Sequence, residues 1–306
     1  MKVIGFGALN VDNIYQAENL QLEENSAAPI DVQAGGSAAN TIIALAKLEI
    51  PSGFIGIVAG DAFGQLLISE FKRKKVDTSK IILQKAESLL TSSGQVEAYV
   101  DKKGRRQLFI KPGVNNLLKF SDVDIDYLNK AEITHFSSFV GDKQLEIQIK
   151  TVAKLSKEVK ISFSPGSIYC ERGIRSILPI IKRTHVLFLD RREIYKLTGK
   201  NFKKGCKELL RLGPHIVVVT LGRDGSYTAT KNEKILTRAK RVKALDTTGA
   251  GDAFAAGFLF GLINNSNFQQ CAKLGNIVAS FCIKKVGARA GLPNRKELAS
   301  VVELAQ

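Results

Sequence analysis

Asp246-Thr247-Thr248-Gly249-Ala250-Gly251-Asp252, followed directly by Ala253-Phe254-Ala255-Ala256-Gly257-Phe258, is the stretch that says most about this chain. Its glycines precede an acid at the start of an apolar run that is typical of a helix. Glycine lets backbone N–H groups approach a ligand, and a helix N-terminus offers unpaired donors and the positive end of its dipole. Such a place suits an anion, for instance a phosphate group in transfer. We interpret the acid, Asp252, as a proton acceptor beside that anion.

An ordinary strand–loop–helix junction, with glycine in the turn and Asp252 as the helix cap, would show the same residues. A second element favours the phosphate-binding interpretation. Residues 34–41 read AGGSAANT and open another helix, since apolar residues follow at helical spacing (Ile42, Ile43, Leu45, Ala46 and Leu48). The sequence thus predicts two glycine-led helix starts, far apart in the chain, that converge on one ligand.

Apolar strand-like runs alternate with helical patterns along most of the 306 residues. This alternation predicts parallel strands joined by helical crossovers, with helices on both faces of the sheet. The predicted strands are 2–7, 53–58, 133–139, 160–163, 185–189 and 215–220. The predicted helices are 37–48, 62–75, 143–157, 171–182, 202–212, 250–263, 267–284 and 294–305.

Two segments interrupt this rhythm. Residues 13–34 lack a helix where one is due. Residues 94–111 alternate like a hairpin, with its turn at Asp101-Lys102-Lys103-Gly104. We expect the two segments to form a small β-lid over the sheet edge, within a single domain that spans residues 1–306. Apolar residues of the hairpin (Val96, Val100, Leu108 and Ile110) would suit a homodimer that forms lid to lid.

Three motifs together resemble the two signatures of the ribokinase-like, or PfkB, family of carbohydrate and nucleoside kinases. They are GGSAANT at 35–41, GFIGIVAGDAFG at 53–64 and DTTGAGDAFAAGF at 246–258. The resemblance covers nearly the whole chain. It implies a three-layer α/β/α sandwich with a mostly parallel central sheet and a small β-lid. It also implies transfer of the γ-phosphate of ATP to a hydroxyl of a small sugar or sugar-like acceptor.

The resemblance assigns the chemical step to the start of the helix at 250–263. Asp252 matches the family's catalytic base, and Gly249, Ala250 and Gly251 match its anion hole, whose backbone N–H groups stabilise the transferred phosphoryl group. We expect an ordinary aspartate pKa for this base, because a helix N-terminus favours the ionised form.

Nucleotide binding is implied for a turn and for one helix. Thr220, Gly222 and Gly225 belong to a turn that follows the predicted strand at 215–220 and resembles the family's nucleotide-phosphate turn. A plain glycine-containing hairpin turn would look the same. Asn276 lies where the family often contacts adenine.

Two metal sites are also implied. Family members commonly carry NxxE where this chain has Asp190-Arg191-Arg192-Glu193, so Glu193 is retained and Asp190 replaces asparagine. Both oxygen ligands suit Mg²⁺. The alternative is that these acids form surface ion pairs with Arg191 or Arg192.

The second implied metal site takes a monovalent cation, for which K⁺ is the candidate. Asp246, Thr248 and the backbone near Gly287 resemble the family's residues there.

On the acceptor side, Asn10 and Asp12 come at the end of the first predicted strand, where parallel sheets bind ligands. Asp12 matches the family's acceptor for sugar hydroxyls, and Gly35, Gly36 and Asn40 match its partners.

Two departures weaken the case for ribose itself. Ser37 stands where ribokinases usually have lysine, and residues 133–140 offer no glutamate but an apolar phenylalanine that would suit a base. A nucleoside kinase of the same family is therefore the alternative. A phosphorylated acceptor would need a basic group from the lid, such as Arg105, Arg106 or Lys111.

Composition excludes several other classes. The net charge of +16 is spread over short clusters, such as 72–75 and 238–243, without interleaved stacking aromatics, so we expect no nucleic-acid partner. The longest apolar stretch, near 253–263, is too short for a membrane span. Four scattered cysteines and three histidines give no zinc pattern and favour reduced thiols. With no signal-peptide pattern at the N-terminus, we expect a cytoplasmic protein.

Three competing functions remain to be weighed. A dinucleotide-binding oxidoreductase fails because the third glycine of GxGxxG would fall at Asn10, and a P-loop NTPase fails because GxxxxGK[ST] does not occur. The third, a catalytically silent ligand-binding homologue, is disfavoured by the intact glycine loop and by Asp252.

Overall fold

The computed structural model of the protein describes residues 1–88, 91–102 and 105–303, with only the backbone at residue 106. The strands are β1 (Val3–Phe6), β2 (Asn10–Ala17), β3 (Ala27–Gly35), β4 (Ser52–Ala59), β5 (Asp77–Gln84), β6 (Gly94–Asp101), β7 (Arg106–Lys111), β8 (Ile133–Ser137), β9 (Lys160–Ser164), β10 (Thr184–Asp190), β11 (Ile216–Thr220), β12 (Ser226–Ala229) and β13 (Lys234–Thr237). The α-helices are α1 (Ser37–Lys47), α2 (Ala62–Arg73), α3 (Ile125–Asn129), α4 (Asp142–Lys154), α5 (Gly166–Glu171), α6 (Ile174–Arg183), α7 (Arg191–Thr198), α8 (Phe202–Leu210), α9 (Ala250–Ile263), α10 (Phe268–Cys282) and α11 (Arg295–Glu303).

Nine strands form the central sheet in the order β13-β12-β11-β10-β9-β8-β1-β4-β5. The strands from β11 to β5 in this order pair in parallel, whereas β12 and β13 add an antiparallel hairpin at one edge. The predicted mostly parallel sheet is therefore present. Because parallel strands end at a common edge, polar residues that follow several strands are brought together there.

Two apolar cores lie on the two faces of this sheet, as strand β11 illustrates. Val217 and Val219 pack into one core, while Ile216 and Val218 pack into the other. Successive side chains of a strand point to opposite faces, so a strand covered on both sides favours apolar residues on both faces. This arrangement accounts for the unbroken apolar run that marked the strand in the sequence, and it gives three layers.

A second sheet of four strands has the order β3-β2-β6-β7. It contains both segments that break the β–α rhythm, 13–34 and 94–111. Strand β2 runs parallel to β6, so the two segments pair directly with each other. Lys103 and Gly104 of the predicted hairpin turn lie outside the described residues. Strand β3 ends at Gly35, immediately before α1, which ties this sheet to the first glycine-led helix.

Several elements differ from the sequence prediction. The predicted helix at 171–182 corresponds to α6, which begins only at Ile174, because Gly173 before it has a left-handed φ of 79° and separates it from the short helix α5. Strands β5, β12 and β13 and helices α3, α5 and α7 were not predicted. Strand β5 is an edge strand of mixed polarity, which weakens the apolar signal. The final predicted helix at 294–305 spans Arg295–Glu303, and residues 304–306 lie outside the described part.

The four cysteines are buried and free of disulfides. Among the helices that the structure describes, none is both long enough and apolar enough to cross a membrane.

Candidate active site

Asp252 lies in the first turn of α9, and the backbone before it has a conformation that requires glycine. Gly249 caps α9 with a left-handed φ of 73°, and a Cβ atom there would lie 2.5 Å from Cβ of Ala288. No side chain caps this helix, so Asp252 is not the cap of an ordinary junction. A Cβ atom on Gly251 would meet nothing within 4 Å, which leaves open space above the helix start. This helix N-terminus is therefore accessible to an anionic ligand.

The carboxylate of Asp252 points instead at the other glycine-led helix. The Ser37 hydroxyl donates a hydrogen bond to Oδ1 over 2.6 Å, and Nδ2 of Asn40 donates to Oδ2 over 2.9 Å. The Thr41 hydroxyl donates to the backbone carbonyl of Asp252 over 3.3 Å. All three donors lie in the first turns of α1, which packs against α9. The structure thus brings the two helix starts together at this carboxylate.

Burial in this contact raises the pKa of Asp252 to about 6, because a charged carboxylate loses hydration there. The hydrogen bonds from Ser37 and Asn40 and the charge of Arg289 lower the pKa, and the negative charge of Asp12 raises it. The prediction of an ordinary aspartate pKa is wrong, since it considered the helix dipole and not desolvation. A base of pKa about 6 is ionised at neutral pH and close to the range that suits proton transfer.

The residues that the sequence assigns to the acceptor are called the acceptor cluster (Asn10, Asp12, Gly35, Gly36 and Asn40). They lie near the place where the two sheets join. Asn10 pairs in register with Gly35 on β3 and with Gly94 on β6, and its Oδ1 accepts a hydrogen bond from Nδ2 of Asn115 over 3.0 Å. A Cβ atom on Gly35 would lie 2.5 Å from the carboxylate oxygens of Asp12. Glycine at this position therefore makes room for that carboxylate.

Gly36, the next residue, has a φ of 98°, and a Cβ atom there would lie 2.4 Å from the backbone carbonyl of Ala8. This close approach directs the chain from β3 into α1, whose Asn40 reaches Asp252. Asn40 thus links the residues assigned to the acceptor with the carboxylate of Asp252.

Arg289 is a member of this site that sequence reasoning missed. Its Nε donates to Oδ1 of Asn40 over 2.8 Å, and its Nη2 donates to the carbonyl of Gly35 over 2.9 Å. Burial lowers the pKa of this guanidinium to about 10. A lone arginine between glycines and alanines (GARAG, 287–291) was the signal that could have revealed it. Ser37 and Asn115 were likewise not assigned to the site.

A cavity of about 450 Å³ opens on the other side of the start of α9. All four residues assigned to the nucleotide line it, together with Ala250 and Gly251 (Thr220, Gly222, Gly225 and Asn276). The wall of the cavity also includes three basic residues, Arg223, Lys240 and Arg241. The amide of Asn276 also donates to the carbonyl of Thr237 over 3.2 Å. The cavity therefore has the position, the size and the charge for an anionic ligand against the helix N-terminus.

Asp190 and Glu193 form a reciprocal cap at the start of α7. Oδ1 of Asp190 accepts hydrogen bonds from the N–H groups of Arg192 and Glu193, each over 2.7 Å, and Oε2 of Glu193 accepts from the N–H of Asp190 over 2.8 Å. Arg191 pairs with Asp224 over 2.6 Å, so the predicted alternative of an ion pair between Arg191 and these two acids is not seen.

The electrostatics of this pair fit a cation. Burial raises the pKa of Glu193 to about 7, and the negative charges of Asp190 and Asp252 add to that shift. Mg²⁺ is commonly bound through one or two carboxylates together with substrate phosphates and water. In the described ranges, no three His, Cys, Asp or Glu side chains cluster as a complete metal site. Mg²⁺ here would accordingly need nucleotide oxygens or water.

The three residues assigned to a monovalent cation lie together, with Asp246 and Thr248 before α9 and Gly287 after α10. The carboxylate of Asp246 accepts hydrogen bonds from the backbone N–H of Thr248 over 2.9 Å, from its hydroxyl over 2.7 Å and from the N–H of Gly287 over 2.8 Å. These contacts clamp the loop before α9. Binding of a monovalent cation at this loop stays a prediction.

Basic side chains of the second sheet already have partners. Arg105 pairs with Asp101 over 2.6 Å, and Lys111 pairs with Glu97. The side chain of Arg106 lies outside the described part of the structure. To bind Arg105 or Lys111, the phosphate of a phosphorylated acceptor would therefore have to displace the carboxylate with which that side chain is paired.

Phenylalanines near 133–140 do not face the site. Phe136 and Phe139 are 0% and 1% exposed, and both rings contact Phe6 in the core. The expectation that a phenylalanine of this strand would meet a base is wrong, because these positions point into the core.

Comparison with known proteins agrees with this geometry. The sequence matches the pfkB family carbohydrate kinase model over residues 2–295. The chain belongs to the pfkB family of carbohydrate kinases. This confirms the family, the kinase class and, with the two-faced parallel sheet, the predicted α/β fold.

The chain is 35% identical to an uncharacterised sugar kinase of Archaeoglobus fulgidus over 81% of this chain and 98% of that one. It is 27% identical to a ribokinase of Staphylococcus aureus over 98% and 99% of the two chains. The fold is that of Arabidopsis thaliana ribokinase, solved with ribose and ATP, with a TM-score of 0.85 and 24% identity over 99% of this chain and 98% of that one.

Proposed function

We propose that this pfkB-family protein transfers the γ-phosphate of ATP to a hydroxyl of a small sugar or sugar-like acceptor, with Asp252 as the general base. One observation carries the proposal. The carboxylate of Asp252 lies between the polar acceptor cluster and the helix start that lines the 450 Å³ cavity. Phosphoryl transfer needs a nucleophile and a phosphate in line, with a proton acceptor beside the nucleophile. We therefore assign the role of proton acceptor to Asp252.

The donor side is assigned to the residues of the cavity. ATP would lie along Thr220, Gly222 and Gly225 with its base near Asn276, so that its phosphates reach the start of α9. The backbone N–H groups of Gly249, Ala250 and Gly251 would then serve as the anion hole and stabilise negative charge on the transferred group.

Ser37 and Asn40 fix the carboxylate on the acceptor side. Each donates to a different carboxylate oxygen, which orients the group and favours its charged form. A hydroxyl held by Asp12 and Asn10 would give its proton to Asp252 as it attacks. The pKa of about 6 means that the base is mostly ionised at neutral pH before the acceptor binds.

Glu193 and Asp190 are the residues that would hold Mg²⁺, directly or through water. The bound cation would offset the negative charge of the phosphates. Asp246, Thr248 and Gly287 are proposed for the monovalent cation, with K⁺ as the candidate.

A nucleoside acceptor is the second candidate, and Ser37 favours it. At the position where ribokinases usually carry lysine, the hydroxyl of Ser37 donates to Asp252 over 2.6 Å. Serine, unlike lysine, offers no positive charge to a sugar at this position. A larger uncharged acceptor such as a nucleoside is compatible with that change.

The four-stranded sheet is proposed as the lid of this site within one kinase domain. Asp12 pairs in register with Val96, and Val96 pairs with Ile110, so the three share one face. Val100 and Leu108 lie on the same face by alternation, and Leu108 is 48% exposed. Closure of this face would exclude water from the phosphoryl transfer. The exposed apolar part of the face would pack against the lid of a second copy in the proposed homodimer.

The experiment that tests the proposed function is an ADP-release screen over sugars, phosphosugars and nucleosides with ATP and Mg²⁺. Asp252→Asn, prepared in parallel, controls for contaminating kinases. Acceptor-dependent ADP release by the parent alone supports the proposal. ATP binding without release for any acceptor in the screen would favour the silent homologue.

A further inference from the structure

A second cavity of about 390 Å³ lies behind the acceptor cluster, between β3, α1 and α2. It is separate from the nucleotide cavity, and the two have no lining residue in common. Its charged wall consists of four basic side chains and one acidic side chain (Lys47, Arg73, Lys74 and Arg289, with Glu70). Glu70, the one acidic side chain, already forms ion pairs with Arg73 and, over 3.7 Å, with Arg289. The cavity therefore carries an excess of positive charge.

Arg289 gives this cavity a buried donor without a hydrogen-bond acceptor. Only 9% of its side chain is exposed. Its Nε and Nη2 donate to Asn40 and Gly35. Its buried Nη1 forms an ion pair with Oε2 of Glu70 over 3.7 Å, a distance too long for a hydrogen bond, so Nη1 has no hydrogen-bond acceptor. Buried polar groups are rarely left without a partner in native proteins. A ligand oxygen in the cavity would supply one.

Lys47 shows that the positive charges in and near the cavity repel one another. Lys47 lies on α1, and Arg73 and Lys74 lie at the end of α2. Burial together with Lys74, Lys285 and Arg73 lowers the pKa of Lys47. Like charges that converge on a partly buried cavity are costly unless an anion neutralises them. Glu297 offsets this repulsion in part.

We propose that this cavity binds a dianionic oxyanion, a phosphate or dicarboxylate group, between Arg289, Lys47 and Lys74. The ligand accepts a hydrogen bond from Nη1 of Arg289 and is neutralised by the two ammonium groups. The site differs from the proposed ATP and acceptor sites, and it would be present whether or not the protein is active as a kinase.

A ligand in this cavity is three contacts away from the base. Arg289 holds Oδ1 of Asn40, and Asn40 holds Oδ2 of Asp252. Arg289 also holds the carbonyl of Gly35, against which the carboxylate of Asp12 packs. Occupancy of the cavity thus fixes the arginine that supports the acceptor cluster, which makes the cavity a candidate effector site.

The test measures thermal unfolding of the full chain, without nucleotide or acceptor, in sodium chloride, sodium phosphate and sodium malonate at equal ionic strength and pH. Lys74→Gln and Lys47→Met each remove one ammonium group from the cavity. Lys72→Gln is the matched control, because Lys72 lies on the same helix turn but does not line the cavity. Tm values in chloride show that each variant folds.

Ligand binding to the native state raises Tm, so phosphate or malonate should raise the Tm of the parent and of Lys72→Gln more than that of the two cavity variants. A response to phosphate alone, or to both anions, identifies which oxyanion the cavity accepts. General salt effects on Tm, and phosphate bound at the start of α9, would act equally on all four proteins. An equal rise in all four, or no rise in any, overturns the proposal.

Discussion

Replacing Ser37 by alanine is expected to move the acidic limb of the pH–rate profile to higher pH. The hydroxyl of Ser37 donates to Oδ1 of Asp252 over 2.6 Å and lowers the pKa of that carboxylate, which burial has raised to about 6. A hydrogen bond to a charged group contributes about 1.5–3 kcal/mol, and one pKa unit corresponds to about 1.4 kcal/mol. Since water will replace part of the lost bond, we expect a rise of about one unit, to about 7.

The size of the effect depends on pH in a way that provides an internal control. At pH 6 about half of the parent protein and about one tenth of the variant would carry an ionised base, so kcat/KM should fall about fivefold. At pH 8 both proteins would be almost fully ionised and kcat/KM should be nearly equal. The sign follows because the base acts in its deprotonated form, so activity is lost as pH falls through its pKa.

The assay records kcat/KM from pH 5 to 9 at saturating ATP and Mg²⁺, with the acceptor that the screen identifies. Thr41→Val is the matched control, because the Thr41 hydroxyl donates to the backbone carbonyl of Asp252 and not to its carboxylate. An acidic limb that stays in place in Ser37→Ala, or that moves as far in Thr41→Val, would refute the reasoning.

Three further predictions concern the metal site, the lid and stability. Glu193→Gln should raise the Mg²⁺ concentration needed for half-maximal activity, whereas Asp190→Asn, which restores the usual family residue, should be mild; the reverse order in a Mg²⁺ titration would contradict the assignment. Acceptor binding should slow hydrogen exchange in 94–111, and the lid is contradicted if exchange there is already as slow as in β11 without acceptor and does not change when acceptor binds. Sedimentation at several concentrations should reveal a dimer, and a protein that stays monomeric throughout would contradict the dimer alone. Asp252→Asn should raise Tm at pH 8 by a few degrees, because a carboxyl whose folded pKa is raised destabilises the fold above that pKa; an unchanged or lower Tm in a thermal melt would count against it.

The layers of the fold were predictable because they follow from local patterns. Strand β11 reads Ile-Val-Val-Val-Thr. Because it is covered on both faces, it forms a nearly continuous apolar run that is easily recognised in the sequence. Edge strands carry a weaker pattern, since one side has no neighbouring strand. Strand β5, with the sequence DTSKIILQ, was missed for that reason. The hairpin of β12 and β13 was missed as well.

The site was predictable only as far as motifs reach. The glycines and Asp252 could be assigned from the sequence because they are adjacent in one motif. Arg289 was missed because its role depends on contacts with Asn40 and Gly35, which are remote in sequence. The pKa of Asp252 was mispredicted for a related reason: the packing of α1 against α9 decides how much water reaches the carboxylate, and no local pattern encodes that packing.

Single-turnover phosphoryl transfer by Asp252→Asn is the most direct test of the central claim. The amide keeps the shape of the side chain but cannot accept the acceptor's proton, and loss of a general base costs about 10²–10⁴-fold in rate. The proposed roles predict that titration calorimetry gives the same ATP affinity for the variant and the parent. The rate of transfer to the acceptor should fall by an amount within that range. Transfer within a few-fold of the parent rate, in a variant with the same fold and the same ATP affinity, would contradict the account.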